Sequence, residues 1–447
     1  MYHDLTQGNI TRGLLRFALP MIAGDLLQQL YNIADTLIVG RALGRDALAA
    51  VGSAFSLMIF LTSVFLGLSM GAGALFSIRR GQGDDRGLRT AAGHAFLLIA
   101  GVTAVLTAAV YLLLDGILRF LQIPPALYAP MREYLAIIFA GLAGTFFYNF
   151  FACLLRAVGN SVAPLWFLGA AALLNVGLDL LFVLVFRWGV AGAAATVIAQ
   201  TLSGAGLAAY TWRRCRELLP LPGEFRLEGA VFRELWGLSS LTCLQQCAMN
   251  FGILLIQRLV DSFGPVTMAA FAAGVKIDAF AYLPVQDFGN AFSTFVAQNY
   301  GAGQSERLRR GFRRAMALSL GFACLLSAAV AGFAEPLMGL FLQPEETAVL
   351  AAGVRYLRIE GAFYPGIACL FLLYGIYRAV RRPGMSVVLT VLSLGTRVAL
   401  AYALAGPVGE SGIWWAIPIG WFLADAVGLG YYFRHRRTLL PDRRSEE

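Results

Sequence analysis

Five polar side chains recur at helical steps inside one apolar stretch: Asp25, Gln28, Gln29, Asn32 and Asp35. Steps of three and four put them along one face of a helix. A lipid-facing stripe of this kind is unfavourable, since a central Asp costs on the order of 2.5–3.5 kcal/mol on insertion scales. The stripe must therefore face protein or water. A second apolar stretch repeats the theme with Asn175 and Asp179, four apart and on one face. The next stretch offers Thr196 close to a Gly-Ala run, Gly189 to Ala195, that permits close backbone approach. A carboxyl group in a dry cavity holds its proton more tightly than in water, and a second carboxyl nearby strengthens the hold. A pair such as Asp35 and Asp179 can carry a proton at neutral pH and release it when the cavity opens. With the oxygens of Asn175 and Thr196 added, the same four residues can instead hold a dehydrated Na⁺. Residue types leave that choice open. The bland alternative is a polar seam that only glues helices together.

Further polar and aromatic residues are candidates for a substrate cavity: Gln28, Tyr31, Asn32 and Tyr148 in the first half, and Gln246, Asn250, Tyr282 and Glu360 in the second. Aromatic faces accept cations, although most aromatics in such a chain are packing or interfacial anchors. Pro20 precedes the polar stripe by one to two turns, removes a backbone hydrogen bond and favours a bend. Pro284 and Pro365 are expected to act similarly. The second half also holds Asp278, Asp287 and Asp425 within apolar stretches, and Lys276 and Arg397 are expected to neutralise some of its acids.

The elements that must position these residues are long apolar helices. Apolar residues make up 58% of the 447-residue chain and charged residues 14%, against roughly 45–50% and about 25% in soluble domains. About 20 apolar residues span a bilayer core. Twelve such stretches fall near residues 14–39, 47–78, 91–114, 131–153, 163–186, 190–212, 235–257, 266–297, 315–334, 353–377, 385–406 and 413–433. The first carries acids and amides with no small-residue cleavage site, which marks a helix and not a signal peptide. The chain is also written twice. Ala49-Ala50 recurs as Ala269-Ala270 and Gly81-Gln-Gly83 as Gly301-Ala-Gly303. Tyr134-Leu135 recurs as Tyr356-Leu357 and Arg156-Ala-Val158 as Arg378-Ala-Val380. Six spans per copy is an even number, so both copies enter the bilayer from the same side. That implies two parallel bundles, an architecture typical of secondary transporters.

The net charge of +9 does not point to nucleic acid, because the arginines alternate by loop. Arg79, Arg80, Arg86 and Arg89 follow the second span, Arg213, Arg214, Arg216, Arg226 and Arg233 fill the link between halves, and Arg307, Arg309 and Arg310 follow the eighth. The opposite loops hold only Arg41, Arg45, Arg119, Arg132, Arg187 and Arg258. Positive charge stays cytoplasmic during insertion, so both termini are expected there. Lys276 is the only lysine, which excludes a Gly-Lys-Ser/Thr phosphate loop and hence a nucleotide-driven pump. The Gly81–Gly83 loop is read as a tight turn. Six cysteines without a CxxC pair and three scattered histidines give no metal or His-based catalytic cluster.

Several motifs together resemble one family. Leu19-Pro-Met21, Leu30-Tyr-Asn-Ile-Ala-Asp35, Gly40, Ala47-Leu-Ala-Ala-Val51, Asn175-Val-Gly-Leu-Asp179 and Phe292-Ser-Thr-Phe-Val-Ala-Gln298-Asn-Tyr-Gly301 are similar to segments of the multidrug and toxic compound extrusion (MATE) transporters, most of all the DinF-like and other prokaryotic branches. The resemblance implies a V-shaped pair of six-helix lobes and cation-coupled drug export. It implies that Asp35 and Asp179 are the coupling acids, with Asn175 and Thr196 as their neighbours, and that Pro20 bends the first helix. One departure is Leu180, which follows Asp179 where many relatives have proline.

The expected fold is an all-α polytopic membrane protein with twelve transmembrane helices in two parallel six-helix lobes. The first lobe is 1–212, an arginine-rich linker 213–234, the second lobe 235–434 and a tail 435–447. The expected function is a multidrug efflux antiporter for amphipathic, cationic, drug-like molecules, exchanging them for H⁺ or Na⁺. It is expected to need no cofactor, to bind no nucleic acid, to have no enzymatic activity and to act as a monomer in the inner membrane of a prokaryote. Two rivals stand. A lipid-linked glycan flippase of related architecture would use Arg355, Arg358 and Arg397 for anionic headgroups. An intramembrane aspartyl protease would use two Asp residues as a dyad, but Val176-Gly-Leu-Asp179 lacks the Gly-x-Gly-Asp signature.

Overall fold

A computed structural model describes residues 3–120, 125–188, 192–221, 226–342 and 346–439; the side chains of residues 34–57, 120, 125–127, 130 and 184 lie outside that description. Among the described residues every regular element is helical. In chain order they are α1 (Ile10–Gln82), α2 (Asp85–Phe120), α3 (Pro125–Ala140), α4 (Leu142–Ala157), α5 (Val162–Asp179), a π-helix (Leu180–Val185), α6 (Ala194–Arg214) and α7 (Gly229–Asp261). The second half continues with α8 (Pro265–Gly301), α9 (Ser305–Gly332), α10 (Ala334–Gly339), α11 (Thr347–Gly361), α12 (Tyr364–Ala379), α13 (Pro383–Val408) and α14 (Glu410–Leu439).

Nine helices among the described residues are long and apolar enough to cross a membrane, and α11 with α12, bent by 49° at their break, make a tenth span. The expected spans not among these ten are the start of α1 and α6. The latter is helical, but Thr196, Gln200, Thr201 and Ser203 dilute its apolar character. Leu112 (84% exposed), Leu173 (77%) and Leu325 (72%) stand on helix surfaces where only acyl chains suit them.

The duplication seen in the residues is a duplication of structure. Shifted by 222, Leu142–Ala157 becomes Tyr364–Ala379, so α4 and α12 coincide at both ends. Gly83 and Gly303 both take the left-handed conformation, at φ +70° and +69°. These matched residues are tight turns after α1 and α8, and a side chain there would be strained.

Two compact units emerge. One comprises Met1–His3, Ala23–Arg80 and Asp84–Cys243, the other Asp4–Ile22, Gly81–Gly83 and Leu244–Glu447. The first is centred on an aromatic cluster in which Phe96 touches Phe146, Phe147 and Phe150 at centroid distances of 5.3, 5.9 and 5.4 Å. Its helices approach closely at glycines. A Cβ on Gly71 would lie 2.4 Å from Ser239 Cα, and one on Gly67 2.5 Å from Cys243 Cα. In the second unit Phe271 stacks on Trp414 at 5.4 Å, and Tyr356 meets Trp414 edge-on at 4.8 Å. The chain start is fastened inside this second unit. Leu5 N–H donates to Gln298 Oε1 (3.2 Å), Asn299 Nδ2 donates to Leu5 O (3.1 Å), and Arg307 donates to the carbonyls of Gly8 (2.8 Å) and Gln7 (2.7 Å).

Candidate functional site

Asn175 and Asp179 share a face of α5, as their spacing requires, and each is 2% exposed. Asn175 Nδ2 donates to Thr196 Oγ1 of α6 at 3.1 Å. Asn175 Oδ1 is sealed from solvent with no hydrogen-bond partner among the described residues. An amide oxygen, a hydroxyl oxygen and a carboxylate thus belong to one buried locus between α5 and α6. Hard oxygen donors of this kind suit a proton or a small monovalent cation. Asp35 lies on α1, but its side chain is outside the described residues.

The chain leaves Asp179 through the six-residue π-helix Leu180–Val185. No proline bend is present at this point, since Leu180 occupies the position. A wider helical turn takes its place, and such turns are frequent at functional sites. Pro20 sits inside α1 and Pro284 inside α8, and both helices are continuous through them. The bend expected at Pro365 is present as the α11–α12 break.

The expected cavity residues fall in both units. In the first, Gln28, Tyr31 and Asn32 are half-buried on α1. Tyr148 Oη donates to Pro164 O at 3.4 Å and lies within the electrostatic reach of Asp25, Tyr31 and Arg156. Thr145 Oγ1 donates to Gln200 Oε1 at 2.8 Å, a polar tie between α4 and α6. In the second unit Gln246 is buried and Asn250 Nδ2 donates to its carbonyl at 3.3 Å. Tyr282 stacks on Phe371 at 6.1 Å. Glu360 is 8% exposed.

Sequence reading missed the company Glu360 keeps. Asp278 of α8 accepts hydrogen bonds from the hydroxyls of Tyr356 and Tyr364. The signal was present in the residues, because 356, 360 and 364 follow one another at steps of four. Arg397 acts electrostatically on Asp278 and Glu360, as expected. Lys276 does not. It is exposed on α8 without an ion pair among the described residues, since two residues along a helix turn a side chain away from Asp278.

With this geometry in view, the comparisons decide the family. The MatE family model matches residues 20–181 and again 242–403, two matches offset by 222 residues. The chain belongs to the MatE family. It is a MATE-family transporter with the helical fold of that family. The relatives it resembles include "Probable multidrug resistance protein YpnP" of Bacillus subtilis, 28% identical with 96% of each chain covered. "FAD transporter" of Shewanella oneidensis is 24% identical, with 98% of this chain and 97% of that protein covered. Among solved structures, a crystal structure of MATE in complex with MaL6 superimposes with a TM-score of 0.92 at 22% identity, covering 97% of this chain and 98% of that one. A MOP superfamily transporter from Pyrococcus furiosus gives 0.91 at the same identity and coverage. These structures share the fold over nearly the whole length.

Proposed function

We propose that this MATE-family chain is a secondary active efflux antiporter that exports amphipathic, cationic compounds in exchange for H⁺ or Na⁺. The observation that carries the reading is Asp179, a carboxylate 2% exposed in an apolar helix bundle beside the Asn175–Thr196 contact. A buried acid of this kind has little value as packing and marks an ion pathway by default. The name of the Bacillus subtilis relative supports drug resistance as the physiological outcome.

In the proposed cycle Asp35 and Asp179 take up the ion from outside, with Asn175 and Thr196 as oxygen donors. Neutralising the acids weakens drug binding, the drug leaves, and the ion is released inside. Ion and drug need only favour opposite states. Each charge moved across about 100 mV supplies roughly 2.3 kcal/mol. The working unit is a monomer of two six-helix lobes in the inner membrane of a prokaryote, with both termini cytoplasmic and Pro20 as the bending point of α1. Gln28, Tyr31, Asn32, Tyr148, Gln246, Asn250, Tyr282 and Glu360 are proposed to contribute to drug passage. The flippase rival needs uncompensated arginines, and one of its three, Arg355, pairs with Glu410 at 3.4 Å.

Reconstitution in proteoliposomes tests this reading, with proton and sodium gradients imposed separately and ethidium as the reporter. The wild type is expected to move ethidium against its gradient under one of the two ions. Asp35→Asn and Asp179→Asn are each expected to lower coupled transport at least about tenfold while still inserting. Wild-type rates in both variants would end the proposal.

A further inference from the structure

The basic end of the second unit gathers three arginines around one tyrosine hydroxyl. Tyr432 of α14 is 5% exposed, and its ring stacks on Phe312 of α9 at a centroid distance of 4.4 Å. The stacked pair forms a floor between the two helices. Arg309 and Arg313 of α9 stand one turn apart, and Arg436 of α14 stands one turn beyond Tyr432. All three lie within electrostatic reach of the Tyr432 hydroxyl, and no acidic group among the described residues does.

These groups have nothing negative to receive them. The Tyr432 hydroxyl makes no hydrogen bond among the described residues, although a phenol packed this deeply ordinarily donates to an acceptor. Arg313 and Arg436 are exposed and have no ion pair among the described residues. Glu306, the one acid in the first ten residues of α9, is taken by Arg310. Membrane insertion asks for positive charge on this side, but not for its gathering about one hydroxyl. Phosphate oxygens suit the set, since a guanidinium can give a phosphate two parallel N–H bonds.

The adjoining surface shows which phosphate fits. On α9, Arg313 heads a row at steps of four, Ala317, Gly321 and Leu325, and every member is exposed. Gly321 faces open space. On α14, Phe433 is 59% exposed, and Gly430 and Ala426 are exposed on the same side. Charge at the helix ends and an apolar surface running from it into the span match an amphiphile with its anionic head at the arginines and its chains along the helices. A soluble phosphate would use only the first of these features.

We propose that Arg309, Arg313, Arg436 and Tyr432 form a binding site for the phosphate of an anionic phospholipid in the leaflet on the arginine-rich side. The guanidiniums hold the phosphate oxygens, and the Tyr432 hydroxyl donates to one of them. The acyl chains lie against Phe433 and the row from Ala317 to Leu325. The site uses no residue of the Asp179 locus and does not depend on the antiport reading.

Native mass spectrometry of the purified full-length protein, exchanged into micelles doped with phosphatidylglycerol or phosphatidylcholine, provides the test. The wild type is expected to retain one phosphatidylglycerol in preference to phosphatidylcholine. Arg313→Gln combined with Arg436→Gln is expected to weaken that binding at least about tenfold. Arg434→Gln combined with Arg437→Gln removes the same charge from exposed positions of α14 and is expected to leave it unchanged. Tyr432→Phe, which keeps the stacked ring, is expected to weaken it at least about threefold. Equal losses in the two double variants would reduce the site to diffuse attraction and overturn the proposal, as would a wild type without preference. The rival occupant is the chain's own tail, which carries Asp442, Glu446 and Glu447. Lipid binding that emerges only when Asp442→Asn, Glu446→Gln and Glu447→Gln are combined would give the site to the tail and overturn the proposal. Displacement of the lipid by an equal concentration of inorganic phosphate would do the same.

Discussion

Asn175 spends its amide nitrogen on Thr196 and keeps its oxygen for the interior of the locus. The bond joins two membrane helices, where such contacts average about 0.6 kcal/mol and reach at most about 1.7. Thr196→Val is therefore expected to lower stability by about 1 kcal/mol in reversible unfolding from mixed micelles, and Thr196→Ser to keep it. Equal stability of the two variants would show that the bond contributes nothing to the bundle. A loss well above about 2 kcal/mol would mean that Thr196 holds more than Asn175. The α5 pair was legible before any coordinates, because a spacing of four fixes a shared helix face whatever lies around it. The Asp278 site was not legible in the same way. Its partners stand 78 and 86 residues away along the chain, and only the packing of α8 against the α11–α12 break brings them together. Lys276 was misread. It was expected to neutralise one of the second-half acids, but it is exposed on α8 and has no ion pair among the described residues.

Glycine sets how closely these helices pack, and the effect differs from one glycine to the next. A Cβ on Gly204 of α6 would lie 2.6 Å from Gly144 O, and one on Gly144 of α4 2.7 Å from Thr201 Cα. Backbone cannot yield as a side chain can, so Gly204→Ala forces α4 and α6 apart. The expected loss is about 1–3 kcal/mol, as for other overpacked interiors. Gly321 of α9 faces open space. Gly321→Ala relieves the entropic penalty of a helical glycine and is expected to gain about 0.4–1 kcal/mol. Thermal unfolding of both variants in one detergent checks the pair, and a shift of the same sign in each would contradict the packing argument. Helix positions were readable because twenty apolar residues leave few alternatives. Helix breaks were only partly readable. Pro365 stands at the first turn of α12, where its missing donor is harmless, and there the span does break. Pro284 lies inside a 37-residue helix that continues through it. The π-helix after Asp179 had no proline to announce it, and its longer backbone turn leaves no periodic mark in six apolar residues.

At the scale of the molecule, duplication and charge together support the proposed threading of the chain. The ends of α4 and α12 that coincide under a shift of 222 show that the two halves repeat one plan. The residues revealed that plan but not the placement of the chain start, since Asp4–Ile22 clusters with the second unit through Gln298, Asn299 and Arg307. Those contacts join positions nearly 300 residues apart and leave no local pattern. The proposed cytoplasmic face is the arginine-rich one. The link between halves carries Arg213, Arg214, Arg216, Arg226 and Arg233, whereas the loop between α7 and α8 is flanked by Arg258 alone. Near an anionic leaflet each basic residue contributes about 1 kcal/mol, so the link outweighs that loop by about 4 kcal/mol. In a version freed of its six native cysteines, Leu227→Cys marks the link and Ser262→Cys the opposite loop; both side chains are exposed. A membrane-impermeant maleimide added to intact cells is expected to label Ser262→Cys at once and Leu227→Cys only after the cells are opened. The reverse pattern would turn the molecule over and overturn the arginine argument, although an antiporter would still exchange inward-moving ions for outward-moving compounds, because the gradients and not the orientation set the direction.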